Sequence, residues 1–195
     1  MRKKRTLGIA LLAMVLVVPL WAQEFTPEAG FVLLFNGKDL TGWVHKTGSS
    51  TQPAVAGQSL DGKTDAGDGR YSVKDGVLVA NSATGRQLLW TTKEYKGNYV
   101  LRFDFRSAEK TDGGVFMNRT QIQCGDYSFY AFKNFKGYKP GDWNSMEVTV
   151  KDGVAHCTCN GQVLVETLRV PELGQIGFEA DKGGIEYRRM RIKEG

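Results

Sequence analysis

Leu34-Phe-Asn-Gly-Lys-Asp-Leu-Thr-Gly-Trp43 carries the reading of the fold. An apolar strand end (Leu34, Phe35) runs into Asn36-Gly37, a turn pair whose two residues accept positive φ at low cost. A second glycine, Gly42, then delivers a large aromatic, Trp43. A tight turn that ends in a tryptophan closes off the core of a β-sheet, so Trp43 reads as core. The same grammar recurs downstream.

Alternation with a period of two is widespread. Tyr99, Leu101, Phe103 and Phe105 share one face of a strand, with Arg102 and Asp104 on the other. Met146, Val148 and Val150 oppose Glu147 and Thr149. In 185–192 the pattern is mixed, Ile185 and Tyr187 on one side and Met190 and Ile192 on the other, which predicts a bulge or a strand buried on both faces. Asp75-Gly76, Asp112-Gly113, Asp152-Gly153 and Asn160-Gly161 read as turns between these runs. No long segment has a 3.6-residue period. Short strands punctuated in this way predict an all-β, antiparallel sandwich or jelly roll. Residues 47–69, rich in Gly, Ser and Asp, read as one long loop.

The first 22 residues stand apart. Arg2, Lys3, Lys4 and Arg5 precede an apolar run from Leu7 to Leu20, too short for a membrane span. This reads as a secretory signal peptide, with residues 23–195 as one domain and no membrane span in the mature chain. The expected location is therefore exported, periplasmic or secreted, in a bacterium. Removing the segment leaves 22 Lys+Arg against 21 Asp+Glu. The basic pI thus belongs to the targeting segment and gives no support for a nucleic-acid partner. About 173 residues suffice for one domain that buries roughly 70% of its unfolded surface. Cys124, Cys157 and Cys159 are odd in number, so at least one thiol is free or bonds another chain. Either of the last two could pair with Cys124, or all three could serve as small buried hydrophobes. The oligomeric state is not legible.

Gly57-Gln-Ser-Leu-Asp-Gly-Lys-Thr64 matches a phosphate-binding loop, but the Asp-Ala-Gly-Asp-Gly that follows cannot open the helix which that chemistry needs. Asp61, Asp65 and Asp68 lack the glycine and terminal glutamate of a calcium loop. Only His45 and His156 are present, which excludes a histidine-rich metal centre, and His156 faces away from Cys157 and Cys159. No cofactor is expected; a divalent metal is compatible with the carboxylates, but no spacing demands one. His45 stands out because it follows the opening motif. Glu179 and Asp181, two apart after the apolar Ile176-Gly-Phe178, read as sharing a face. So do Gln121 and Gln123, whose amides suit a hydroxyl-rich ligand.

In order along the chain, LFNGKDLTGW (34–43), YSVKDGVLVA (71–80), LLWTTKEYKGNYVLRFDFR (88–106), GGVFMN (113–118), GDWNSMEVTV (141–150), CNGQVL (159–164) and IGFEADKGGIEYRRMRIKE (176–194) resemble the 3-keto-disaccharide hydrolase-like family of exported bacterial proteins. The resemblance implies a concanavalin-like jelly roll and action on glycosides already oxidised to a ketone at carbon 3. Such an enzyme needs one base for the proton on carbon 2, donors for the enolate oxygen and a pocket for the ring. It does not need the carboxylate pair of ordinary glycosidases. With that chemistry in view, Glu179 or Asp181 is the expected base; Lys182 stands where the family has glycine. Arg188 and Lys182 become oxyanion donors, and Asp112, Gln121, Gln123 and His45 bind the sugar. At 121–124 the family's Glu-Val-Gln-Ile becomes Gln-Ile-Gln-Cys. The partner is then a glycoside or oligosaccharide. The alternative is a non-catalytic carbohydrate-binding module using Tyr127, Tyr130, Phe132, Phe135 and Tyr138; a third reading is a structural or partner-binding envelope protein.

Overall fold

A computed structural model describes residues 25–45, 57–82, 88–107, 109–126 and 135–195. The proposed signal segment, residues 47–56 of the expected loop, and Tyr127, Tyr130 and Phe132 lie outside them. The described residues form β1 (Val32–Leu33), β2 (Trp43–His45), β3 (Gln58–Ser59), β4 (Tyr71–Lys74), β5 (Val77–Ala80), β6 (Leu88–Lys96) and β7 (Tyr99–Ser107). The series continues with β8 (Asp112–Met117), β9 (Thr120–Gln123), β10 (Asn144–Lys151), β11 (Val154–Cys159), β12 (Gln162–Arg169), β13 (Leu173–Lys182) and β14 (Ile185–Glu194). No helix occurs among them.

The strands build two antiparallel sheets packed face to face as a jelly-roll sandwich. Sheet A runs β12-β11-β10-β7-β14-β5-β4, with β1 added to β14; sheet B runs β3-β2-β6-β13-β8-β9. Alternation decides what enters the space between them. Tyr99, Leu101, Phe103 and Phe105 are buried there, as are Met146, Val148 and Val150. From sheet B come Trp43, Ile176, Phe178 and Ala180. Phe178 lies at the centre, edge-on to Trp43 (5.9 Å), Phe103 (5.3 Å) and Tyr187 (4.9 Å). Aromatic packing of this kind adds about 1 kcal/mol per pair beyond burial.

The mixed pattern at 185–192 resolves as a bulge. Register shifts between Arg188 and Arg191, and Arg189 adopts φ +52°. The extra residue returns Met190 and Ile192 to the face already occupied by Ile185 and Tyr187, and all four are fully buried. Asp75-Gly76, Asp152-Gly153 and Asn160-Gly161 are positive-φ turns as expected. Asp112-Gly113 is not; it begins β8, because Gly113 permits close contact. A Cβ there would meet the Glu179 carbonyl and Ile185 Cδ1 at 2.5 Å each. Residues 57–69 of the expected loop are tied into the sandwich. β3 pairs with β2, Leu40 N–H bonds the Lys63 carbonyl, and Val73 N–H bonds the Thr64 carbonyl. No helix follows Thr64, which removes the phosphate-loop reading.

Cys124, Cys157 and Cys159 are free, fully buried thiols in the core. Burial raises all three, Cys159 to about 12, so they stay protonated.

Candidate functional site

The same alternation that buries Phe178 turns its neighbour outward. Glu179 sits on the outer face of sheet B, in the middle strand β13, yet it has no exposed surface. Register places Gln123, Gly114, Glu179 and Leu88 in one row across β9, β8, β13 and β6. The next row holds Gln121, Phe116, Gly177 and Trp90, continuing to Val44 on β2. Gly114 contributes no side chain between Glu179 and the β9 amides. Gln121 Nε2 reaches across and donates to Glu179 Oε2 at 3.2 Å, while Gln123 Nε2 donates to Asp112 Oδ1 at 2.7 Å. Amide donors of this kind fix carboxylate orientation.

Next to the carboxylates the floor is apolar. Val44, Leu88, Trp90 and Phe116 form a small buried cluster separate from the main core. Trp90 lies over Gly177 so closely that a Cβ there would sit 2.6 Å from the ring. Phe116 meets it edge-on at 6.2 Å. The indole Nε1 is buried and has no hydrogen-bond partner.

The backbone beneath Glu179 is pinned from the opposite sheet. Tyr187 Oη donates to the Glu179 carbonyl at 2.8 Å, and Tyr71 Oη to the Phe178 carbonyl at 2.9 Å. Burial, then nearby charge including Glu179, pushes both phenols well above their ordinary range. Both therefore remain donors at any working pH. Arg70, almost fully buried, donates from Nη1 to the Ala180 carbonyl at 3.2 Å. Sequence patterning puts Tyr187 on a strand face without giving it a role, and does not mark Trp90 or Tyr71. The visible signal for Arg70 is its position directly before a strand, beside an aromatic.

The expected site residues divide. Glu179, Gln121, Gln123 and Asp112 come together on one face. Lys182 pairs in register with Asp112 at its edge. Asp181 is half-buried nearby, but register shifts between Ala180 and Lys182. That bulge breaks the i, i+2 alternation that was to align it with Glu179. His45 lies on the inter-sheet side of β2, edge-on to Tyr71 at 5.5 Å, with Nε2 3.6 Å from Asp68 Oδ2. It is therefore not part of the floor. Arg188 belongs elsewhere altogether. Because Tyr187 points into the core, Arg188 points out of sheet A, a whole sandwich away from Glu179. It pairs there with Asp104 at 3.3 Å and stacks on Trp143 at 3.8 Å. Phe135 and Tyr138 pack against the core, Tyr138 stacked on Phe105. No group of three or more His, Cys, Asp or Glu among the described residues could hold a metal ion.

Residues 30–193 match the model of a 3-keto-alpha-glucoside-1,2-lyase-like domain. Among solved structures, a candidate glycosyl hydrolase from Parabacteroides distasonis ATCC 8503 is similar at TM-score 0.62 and 19% identity, over 85% of this chain and 94% of its own. A second candidate glycosyl hydrolase from that organism gives TM-score 0.51 and 23% identity, over 64% of this chain and 90% of its own. These two likenesses concern the fold. No curated protein sequence matches the chain.

Proposed function

The chain belongs to the 3-keto-alpha-glucoside-1,2-lyase-like family, and from that premise we propose that it cleaves 3-keto-glycosides by elimination, with Glu179 as the base. The observation that carries this reading is one outward-facing, fully buried carboxylate, held by an amide above a floor that glycines keep low. A ketone at carbon 3 acidifies the hydrogen on carbon 2. Glu179 takes that proton, and the C2–H electron pair becomes the C2–C3 double bond of an enolate. The enolate collapses to restore the ketone, a double bond forms between C1 and C2, and the C1–O bond breaks. The leaving oxygen keeps that electron pair and gains a proton. Water adding back across C1 and C2 turns the lyase product into the hydrolysed sugar.

Each neighbouring group has a role in this scheme. Gln121 holds the carboxylate in line, which supplies the positioning term of catalysis. Asp112 and Gln123 bind ring hydroxyls, and Lys182 offers positive charge at the same edge for the enolate oxygen. Arg188 has no part in it. Action outside the cytoplasm, in the periplasm or medium, fits the basic-then-apolar segment 1–22.

The test is release of the leaving sugar from a 3-keto-disaccharide by the purified protein. Glu179→Gln is expected to lower kcat at least about a hundredfold, the usual value of a general base. Asp181→Asn should lower it far less. Full turnover by Glu179→Gln would overturn the assignment.

A further inference from the structure

We infer that Trp90 positions the sugar, its ring forming part of the floor beside Glu179 and its indole N–H donating a hydrogen bond to an oxygen of the bound carbohydrate. The inference rests on the carbohydrate reading of this face, but it does not require turnover. Its starting point is an unmet donor. Trp90 is fully buried and its Nε1 has no partner. Leaving such a group unsatisfied costs about 1–3 kcal/mol, and native proteins leave few of them.

Trp43 provides the contrast. Its Nε1 is also buried and unpartnered. However, Trp43 lies between the sheets against Phe178, where only opening the sandwich would admit a ligand. Trp90 lies on the other side of the same sheet, one register row from Glu179. Glu179 and Trp90 stand on the same outer face in adjacent rows, so a ligand seated on the carboxylate lies beside the indole. Gly177 beneath the ring and Phe116 at its edge fix the indole, so its direction is set before a ligand arrives. Preset donors cost a ligand little ordering entropy. Indole N–H only donates, so it selects an acceptor, and sugar hydroxyl and carbonyl oxygens are acceptors.

Residues 23–195 contain three tryptophans, Trp43, Trp90 and Trp143, so nitrogen-15 NMR shows three indole N–H signals. A 3-keto-disaccharide and its unoxidised parent are titrated separately. At saturation with either sugar the Trp90 signal is expected to move downfield while that of Trp43 stays. Trp90→Phe keeps an aromatic ring and removes the donor. It should weaken affinity about five- to tenfold with kcat nearly unchanged, the share of one hydrogen bond made equally to ground and transition states. Trp43→Phe should leave affinity alone. An unmoved Trp90 signal at saturation, wild-type affinity in Trp90→Phe, or no binding of either sugar would each overturn the inference. Should Trp90→Phe not fold, the wild-type titration decides alone. Turnover with an unmoved Trp90 signal sinks this inference and leaves the elimination reading. A moved signal without turnover does the reverse.

Discussion

Glu179 and Asp104 occupy equivalent positions and live opposite lives. Each faces outward from an interior strand of its sheet, β13 in sheet B and β7 in sheet A, and each is buried. Asp104 is surrounded by donors: Arg188 at 3.3 Å, Arg189 at 3.5 Å and Ser145 Oγ at 2.9 Å. The rest of that face repeats the pattern, with Arg102 paired to Glu147 and Arg106 to Glu186, both at 2.6 Å. Beside Glu179 stand the Gln121 amide, Gly114 and the buried cluster of Val44, Leu88, Trp90 and Phe116. One face spends its carboxylates on structure. The other buries one beside an apolar cluster, which is where chemistry is to be sought.

Crossing the two carboxylates tests this most severely. Glu179→Gln should abolish most turnover and leave the melting temperature near wild type. Asp104→Asn should do the opposite, costing about 2 kcal/mol, the scale of a lost charge-assisted network, with turnover intact. Paired thermal melts and sugar-release assays read both. Equal loss of turnover in the two variants would erase the distinction between the faces.

Gly177→Ala asks whether the recess depends on its floor. The added methyl would stand 2.6 Å from the Trp90 ring, so the indole must shift. A cost of about 1–3 kcal/mol is expected from overpacking, with weaker sugar binding. Wild-type stability and affinity would show that the ring's seat over Gly177 is not needed.

Arg188→Ala probes the sheet A side alone. It removes the Asp104 contact and the stack on Trp143. The expected cost is about 1 kcal/mol, tempered by solvent, and kcat should not change. A hundredfold drop in kcat would return Arg188 to the catalytic site and overturn its separation from Glu179.

How far the sequence reached follows from what kind of contact was at stake. Strand faces are local, so Tyr99–Phe105 and 146–150 were legible from alternation. The irregularity in β14 was legible too, as a bulge or as burial on both faces, because Met190 falls out of step with Tyr187. Trp43 was readable as core from the tight turn that delivers it. The site itself joins Gln121 to Glu179 across 58 positions, and no local pattern encodes which strands become neighbours. Arg188 illustrates the loss: its outward direction follows from Tyr187, but which sheet it leaves depends on the pairing of β14 with β7. Asp112-Gly113 misled because a glycine that serves close packing looks like one that serves a turn. The bulge after Ala180, like the seat of Trp90 over Gly177, arises from cross-strand register and leaves no mark in the residue pattern.

The smallest effect concerns how the arginine face is fastened down by the segment before β1. Phe25 packs beside Arg191 at 5.1 Å and Phe31 beside Arg102 at 4.7 Å. Glu28 accepts two bonds from Arg191, at 2.6 and 2.7 Å. Those bonds, chiefly, hold its carboxyl down at about 2 from an ordinary value of 4.5. A lowered folded value means the stabilisation is complete above about pH 4.5 and fades as pH falls toward 2. Nearly half of the Glu28 side chain is open to water, so screening limits the effect to about 1 kcal/mol. Glu28→Gln should therefore melt a few degrees below wild type at pH 7 and at the same temperature near pH 2. High salt should shrink the pH 7 difference, because the pair is exposed. A difference that persists at pH 2 would mean the segment is held by Phe25 and Phe31 packing, with the ion pair incidental. In that case the arginine face owes its order to aromatic contacts more than to charge.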